Sequence, residues 1–501
     1  MKTSVPFSVS TPYLEPDGRK LILPLPDYTF VALQKTKGGL NGESEYILEK
    51  FDKELVSIFK TNLICSQDED YKDLFFNDKD IILFSVVHNT DDRKAILKAY
   101  FFDVITGIKK HEKTLHEHTV KEWLDHPGKG VVKETFINAI CSSVSKNFVT
   151  PLEYQYEIRY SPNKSKILAY IFDYSHKTLF AHGYVFDKHL NPLHHGHIPI
   201  DNGFVNYGIE INNREDIFIL NQDRSGRIVV IQYHLHHRHN KLLDIQNANS
   251  NRGSLVLQVL SDDVVYIACT NQDNGKMTGI MYAKLDFKQL IVDRINSHEL
   301  SVNIIQTAQT MRASNKFLAG EENWMNYEIV FFQVNEYEKI IIALEKRELI
   351  SPGYAYNANN FNHPKNWSER LIKVNTEGIL LFSFNKNDEL LWENFYQKSQ
   401  VNDVSAGITG SSFSLHITAD GRIRAVFPTY NNNSFIYNIY NFVEWDELTG
   451  NKVKDLAAPN DEAFSMITCY TMWWEDRVII AGRKGIFGKK STLNLYQLEV
   501  N

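Results

Sequence analysis

The stretch HGYVFDKHLNPLHHGHIPI (182–200) carries five imidazoles, and QYHLHHRHN (232–240) carries four more. In an extended strand, residues i and i+2 face the same way. His195 with His197, and His234 with His236, are therefore the pairs that could chelate Zn²⁺ once a third ligand joined them. The alternative is that both stretches are strand hairpins whose histidines stay at the surface and take nickel or zinc adventitiously. Position decides between the two. Both groups border the turns of outer hairpins, on strands that diverge from their neighbours, so exposed histidines and no metal centre are expected.

Little else has catalytic spacing. Cys65, Cys141, Cys269 and Cys469 are too scattered for a CxxC or disulfide framework, and reduced, partly buried thiols are expected. No P-loop, strand-borne GxGxxG, HExxH or GxSxG is present. Asp262-Asp263 and Glu321-Glu322 read as turn and surface residues. The net charge of −7 disfavours a dedicated nucleic-acid binder. No apolar run is long enough to span a bilayer. The opening MKTSVPFSVSTPYLEPDG lacks the apolar core of a signal peptide, so the chain as written reads as cytoplasmic. A periplasmic or envelope location is the expectation if a signal peptide has been removed.

The elements that carry these residues are strands. Of 501 residues, 43% are hydrophobic and 12% aromatic, with only 14 prolines, a balance that suits a β-rich fold. Two markers recur. The first is an alternating hairpin with Asp, Asn, Gly or Lys at its turn, as in YILEKFDKELVSIFKTNL (46–63) and YAKLDFKQLIVDRI (282–295). Both histidine stretches belong to this set. The second is a polar turn followed by β-branched residues, as in NDKDIILFSV (77–86), NNREDIFIL (212–220) and VNEYEKIIIAL (334–344). The markers alternate eight times, at closest about fifty residues apart, the length of a four-stranded repeat. Closing such an array into a ring removes exposed sheet edges. The fold class is accordingly all-β, a single β-propeller over 1–501 with eight four-stranded blades; seven is the second choice. The last unit lacks a fourth strand, which VPFSVST (5–11) is expected to supply.

FDVITGIKKHE (102–112) and WDELTGNKVKD (445–455) resemble the D-x-x-T-G-K-x-x-W signature of PQQ-like propeller repeats. LFSFNKNDELLWENF (381–395) resembles its variant with a strand-borne tryptophan, Trp392. Thr106 and Thr449 keep the Thr-Gly step, whereas the motif's tryptophan is absent from both of those units. The resemblance covers three of eight units and implies an eight-bladed ring, a plan shared by alcohol-oxidising quinoproteins and non-enzymatic scaffolds. Quinoprotein catalysis implies a Ca²⁺-holding carboxylate and amide set and commonly a vicinal cysteine pair. Neither is visible, so no cofactor is expected and the non-catalytic branch is the nearer one. The unit style is also similar to bacterial envelope propellers such as the plug subunit of the type IX secretion translocon.

With strands A to D running outward from the axis, A–B and C–D turns share one face, and B–C and D–A connections share the other. Three long insertions fall on the second face. Residues 116–150 and 297–326 are D–A connections with helices expected at 133–148 and 303–318, and 346–370 is a B–C connection. The last contains SPGYAYNANNFNHPKNW (351–367), where Tyr354, Tyr356, Asn357, Phe361 and Trp367 combine rings for stacking with an amide for hydrogen bonding. RKGIFGKK (483–490) is the B–C turn of the last unit, and its Lys484 and Phe487 are candidates for gripping an acidic partner. Trp473-Trp474 are assigned to packing between the last and first blades. The prediction is a non-enzymatic scaffold that binds a protein partner through this face, such as an accessory subunit of a larger bacterial assembly. The alternative is a carbohydrate-binding or glycoside-hydrolysing propeller whose carboxylates come from separate blades. An enzyme should place acids at the elaborated mouth of the channel, at least one with a raised pKa. A scaffold should show an apolar patch with a polar rim there.

Overall fold

Alternating apolar and polar residues make a strand that can bury one side, and eight sets of four such strands assemble into eight antiparallel sheets. The computed structural model describes residues 2–7 and 22–499 except 39–43, 67, 90–91, 93, 120–155, 174–179, 201–203, 224–225, 237–239, 246–250, 315–323, 336, 351–372, 404–412, 431–436, 460–463, 475–476 and 485–491. In order A to D, blade 1 comprises Ile22–Pro24, Phe30–Gly38, Ser44–Phe51 and Ser57–Cys65. Blade 2 comprises Glu69–Phe76, Asp80–Asn89, Lys94–Asp103 and Lys109–Thr119. Blade 3 comprises Tyr156–Tyr160, Lys166–Asp173, Phe180–Asp187 and Pro192–Pro199. Blade 4 comprises Phe204–Ile211, Asp216–Asp223, Ile228–His234 and Asn240–Ile245. Blade 5 comprises Asn251–Val259, Val264–Asp273, Lys276–Asp286 and Ile291–Glu299. Blade 6 comprises Tyr327–Val334, Ile340–Ile350, Lys373–Phe384 and Leu390–Asp403. Blade 7 comprises Ser414–Ile417, Arg422–Tyr430, Tyr437–Asp446 and Lys452–Pro459. Blade 8 comprises Phe464–Trp474, Arg477–Lys484 and Thr492–Glu499, with Lys2–Phe7 as its outermost strand. The chain is an eight-bladed β-propeller.

Burial follows radial position. Strand B is buried almost throughout, as in Asp216–Asp223 and Val264–Asp273, because another blade covers each of its sides. Strand D alternates, as in Ser57–Cys65 and Ile291–Glu299, because one side meets water. The apolar clusters lie in the seams: Phe84 and Leu97 of blade 2 pack with Ile167 and Ala169 of blade 3, and Ile341 and Leu381 of blade 6 with Ile423 and Val443 of blade 7.

Turn chemistry explains both recurrent markers. At the A–B turns of blades 2, 4 and 6 an asparagine amide holds the backbone: the Asn335 carbonyl oxygen accepts from the N–H groups of Tyr337 (3.0 Å) and Lys339 (2.9 Å). Salt bridges then tie this face together, linking Lys188 to Asp78, Lys166 to Glu215, Arg214 to Asp263 and Arg294 to Glu338 across neighbouring blades. At the D-x-x-T-G turns of blades 2 and 7, Asp103 and Asp446 accept from the backbone and hydroxyl of Thr106 and Thr449. The following glycines, Gly107 (φ 70°) and Gly450 (φ 67°), leave room for a ring from the preceding blade, Phe59 and Trp392 respectively. Thr61 and Asn394 donate to the same glycine carbonyls at 2.7 Å. The ring that covers each turn is thus supplied by the neighbouring blade.

Several expectations shift in detail. The closing strand is Lys2–Phe7, earlier than 5–11, with Lys2 opposite Gln497 and Phe7 opposite Leu493. A bulge between Ser4 and Pro6 takes up the proline, whose missing N–H is tolerable on an outer strand. Trp474 does pack edge-on against Phe30 of blade 1, with centroids 6.0 Å apart. Trp473, on the opposite side of the strand, faces blade 7 instead, stacking on His416 and donating to Ser414 (2.8 Å). Residues 116–119, 297–299 and 346–350 are strand and not insertion, because the neighbouring strands continue to pair with them. The helix expected at 303–318 is Val302–Ser314 (α1). The one expected at 133–148 lies outside the described residues.

Candidate functional site at the loop-bearing end of the ring

Antiparallel order puts the strand ends that flank the B–C and D–A connections at one end of the ring, among them Thr119 and Tyr156, Glu299 and Tyr327 on either side of α1, and Ile350 and Lys373. Tyr354, Tyr356, Asn357, Phe361, Trp367 and Phe487 lie outside the described residues. Lys484 is the last residue of strand B in blade 8, its backbone paired between Phe464 and Thr492.

The segment that carries α1 is anchored onto blade 6. Ser301 caps the helix, its hydroxyl accepting from the Ile304 N–H (3.2 Å), while Ile304 and Ala308 are buried in the seam of blades 5 and 6. Trp324 stacks on Tyr327 and meets Phe395 edge-on. His298 of blade 5 lies 3.1 Å from Glu393 of blade 6, whose carboxyl stays below its ordinary range: burial opposes this, and His298 and Ser301 outweigh it.

Blade 6 itself is extended, with strands B, C and D of 11, 12 and 14 residues. Its loop-bearing end contains charges where a core would normally be apolar. Glu328 of strand A meets Arg347 at 3.3 Å, Arg347 meets Glu345 at 2.9 Å, and Glu345 pairs with Lys398 of strand D. The side chains of Glu345 and Lys398 are 0% exposed. On the other side of the sheet, Lys346 and Glu377 form a second buried pair at 3.7 Å. Burial opposes ionisation of Glu345, yet Lys398 and Arg347 hold its carboxyl below its ordinary range. Glu328 goes the other way: burial pushes it up to about 7, although Arg347 pulls against the shift. The network therefore holds one acid that titrates near neutrality beside one that is locked ionised. The run LEKREL (344–349), four consecutive charges in a β-branched strand, is the sequence signal that marks this place.

A second charged group lies on the innermost strands. Arg159 of blade 3 sits 3.3 Å from Glu157 and 3.4 Å from Glu210 of blade 4, and Tyr160 donates to Asp73 of blade 2 at 2.8 Å. Burial raises the Glu210 pKa, with Arg159 opposing, yet 31% of its side chain and 34% of that of Arg159 remain accessible. Other inner-strand side chains stitch blades together: Gln258 both donates to and accepts from the backbone of Val334. Apart from Arg159–Glu157, each of these contacts joins strands from different blades, beyond the reach of a linear motif.

The histidines separate into two groups. His195 and His197 are exposed and face blade 2; His236 is exposed, His234 half-buried, and both lie against His194 across the seam of blades 3 and 4. His194 in turn contacts Glu215 at 2.8 Å. The expectation that both groups border the rim opposite the insertions holds for His234 and His236. It fails for His197, which pairs with His182 near the loop-bearing end of strand D, because strand D runs back towards that face. Among the described residues no group of three or more His, Cys, Asp or Glu is arranged to hold a metal ion. Nor is any helix there long and apolar enough to cross a membrane.

No family model matches the chain, and no curated protein does. Among solved structures it is similar to a polysaccharide lyase, Uly1 (8% identity, 100% of each chain covered, TM-score 0.41). It is also similar to a europium-containing methanol dehydrogenase (9% identity, 97% of this chain and 85% of that one, TM-score 0.43). A third likeness is to the WD40 domain of SCAP from fission yeast (9% identity, 99% and 93% covered, TM-score 0.38). These are likenesses of fold and bring no activity with them.

Proposed function

We propose that this propeller is a non-enzymatic scaffold that binds a protein partner through its loop-bearing face, as an accessory subunit of a larger assembly. The observation that supports this reading is the one-sidedness of the ring. One face is closed by short turns and inter-blade salt bridges, while the other carries the long connections and an extension of blade 6 fixed by buried ion pairs. Exposed apolar residues occur on both faces, Val302 and Met311 on one, Ile105 and Leu448 on the other, so exposure alone does not discriminate. The D-x-x-T-G turns support reading the repeats as PQQ-like.

Glycoside binding or hydrolysis is the second reading, favoured by Glu328 with its raised pKa. Against hydrolysis, its nearest carboxylate, Glu345, is fully buried, whereas a hydrolytic pair must flank a bond in the substrate. The deciding experiment compares intact protein with a variant whose residues 351–372 are replaced by a short Gly/Ser linker. Each is used to recover partners from native soluble and membrane fractions, and any partner is then rebound as purified protein. A partner that rebinds the intact form and not the variant is the expected result. Equal recovery by both forms, together with release of reducing sugar that is lost in Glu328→Gln, would overturn it in favour of the second reading.

A further inference from the structure

We infer that the seam between blades 2 and 3 is a pH-sensitive joint, which loosens when its histidines take up protons. This stands independently of the proposed partner. Across the seam, His118 of strand D in blade 2 lies 4.7 Å from His182 of strand C in blade 3, centroid to centroid. His182 lies 4.6 Å from His197 of strand D. One step further along, His116 stacks on Tyr184 at 3.7 Å, Tyr184 stacks in turn on His195, and the His116 Nδ1 is 2.7 Å from the Tyr156 hydroxyl. Register extends the set inward: His118 lies opposite Ala95 and Ala95 opposite His88, which puts His88 on the same side of blade 2. The row runs from water to core, since His197 is exposed, His182 half-buried, and His118 and His88 each 7% exposed.

Among the described residues, the charged and titratable groups facing this row are of few kinds. From blade 2, strand A brings Asp70 and Lys72 towards His88, with Asp68 just before it; strand D adds Glu117, which is turned outward to Lys94. From blade 3 come the hydroxyls of Tyr156 and Tyr184, both pushed up by burial and so neutral throughout the range that matters, while strand B presents Ile171. Burial holds His116 down to about 4, with the charges of His118, His182 and His195 adding to it. Burial and Lys72 hold His88 near the same value. Between that value and the ordinary imidazole pKa of about 6.5, the unfolded chain binds more protons than the folded one. The seam is therefore complete above that ordinary value and weakens steadily as pH falls towards 4. At other seams a histidine faces a carboxylate instead, His194 lying on Glu215 and His298 on Glu393.

The test is hydrogen exchange read by mass spectrometry on the full chain, from about pH 7.5 to about pH 5.5, corrected for intrinsic exchange. Protection in Lys94–Thr119 and Phe180–Pro199 should fall by about ten-fold or more, the effect of one unit of depressed pKa, while blades 5 and 7 keep theirs. In the pair His118→Gln with His182→Gln the fall should be reduced. If that pair does not fold, His182→Asn alone serves, and the wild-type profile decides in any case. Protection at the seam that is independent of pH, or a fall of equal size in every blade, would overturn the inference.

Discussion

Trp392 lies against Gly450, and its indole N–H donates to the Glu447 carbonyl at 2.8 Å, so one side chain joins blade 6 to the turn of blade 7. Gly450→Ala would drive a methyl group into that ring at a left-handed backbone position. The combined cost is about 2–4 kcal/mol, measurable as a lowered urea midpoint, and Gly107→Ala against Phe59 should behave alike. In blade 6, Lys398→Met leaves Glu345 buried with Arg347 alone and should cost about 3 kcal/mol. Glu328 supplies a pH test. Its folded pKa, about 7, lies above its ordinary 4.5, so the folded state binds the extra proton between those values. The corresponding stability is complete below 4.5 and lost as pH rises through 7. Glu328→Gln should therefore be nearly neutral at about pH 5 and stabilising by about 2 kcal/mol above neutrality, after allowance for partial exposure. Equal effects at both pH values would show that Glu328 is already ionised in the folded chain.

At the scale of the element, the turns separate into those that merely reverse the chain and those that also join blades. Asn212 is 0% exposed; its amide oxygen accepts from Arg214 (2.9 Å) and Asp216 (2.8 Å), and its amide nitrogen donates to the Asp262 carbonyl of blade 5. Asn385 makes the same local bonds at an exposed turn. Asn212→Ala should cost about 2–3 kcal/mol and Asn385→Ala about 1, a difference that thermal unfolding of the two variants would resolve. The same distinction explains what could be read in advance. Strands and turns announce themselves because alternation and Asn, Asp and Gly placement are local, and the described A–B turns and C–D hairpins lie where NDKDIILFSV, NNREDIFIL and their relatives put them. The Glu345–Lys398 pair spans 53 positions, and His118, His182 and His197 meet from three strands of two blades. Such contacts depend on which residues face each other across a seam, and strand ends misjudged by a few residues, as at 116–119 and 346–350, are enough to hide them.

For the molecule as a whole, one feature sets the behaviour of the ring: the first and last described strands share a blade. Lys2–Phe7 pairs with Thr492–Glu499, while Ile22–Pro24 of blade 1 approaches the inner strand of blade 8. Chain ends in one sheet convert eight seams of similar kind into a closed circle, so that no blade can peel away without breaking two interfaces. Deleting residues 1–8 removes the outer strand and leaves the N–H and C=O groups of Thr492–Glu499 as an open edge. Unfolding should then begin at blade 8. The thermal midpoint should fall, a single transition should broaden or split, and the exposed edge should raise the fraction of dimers and larger species in light scattering. A synthetic peptide covering residues 1–8, added in excess, should restore the monomer by re-forming the strand in trans. Unchanged melting and an unchanged monomer after the deletion would mean that three strands suffice for blade 8, and that the ring is held by its inner seams alone.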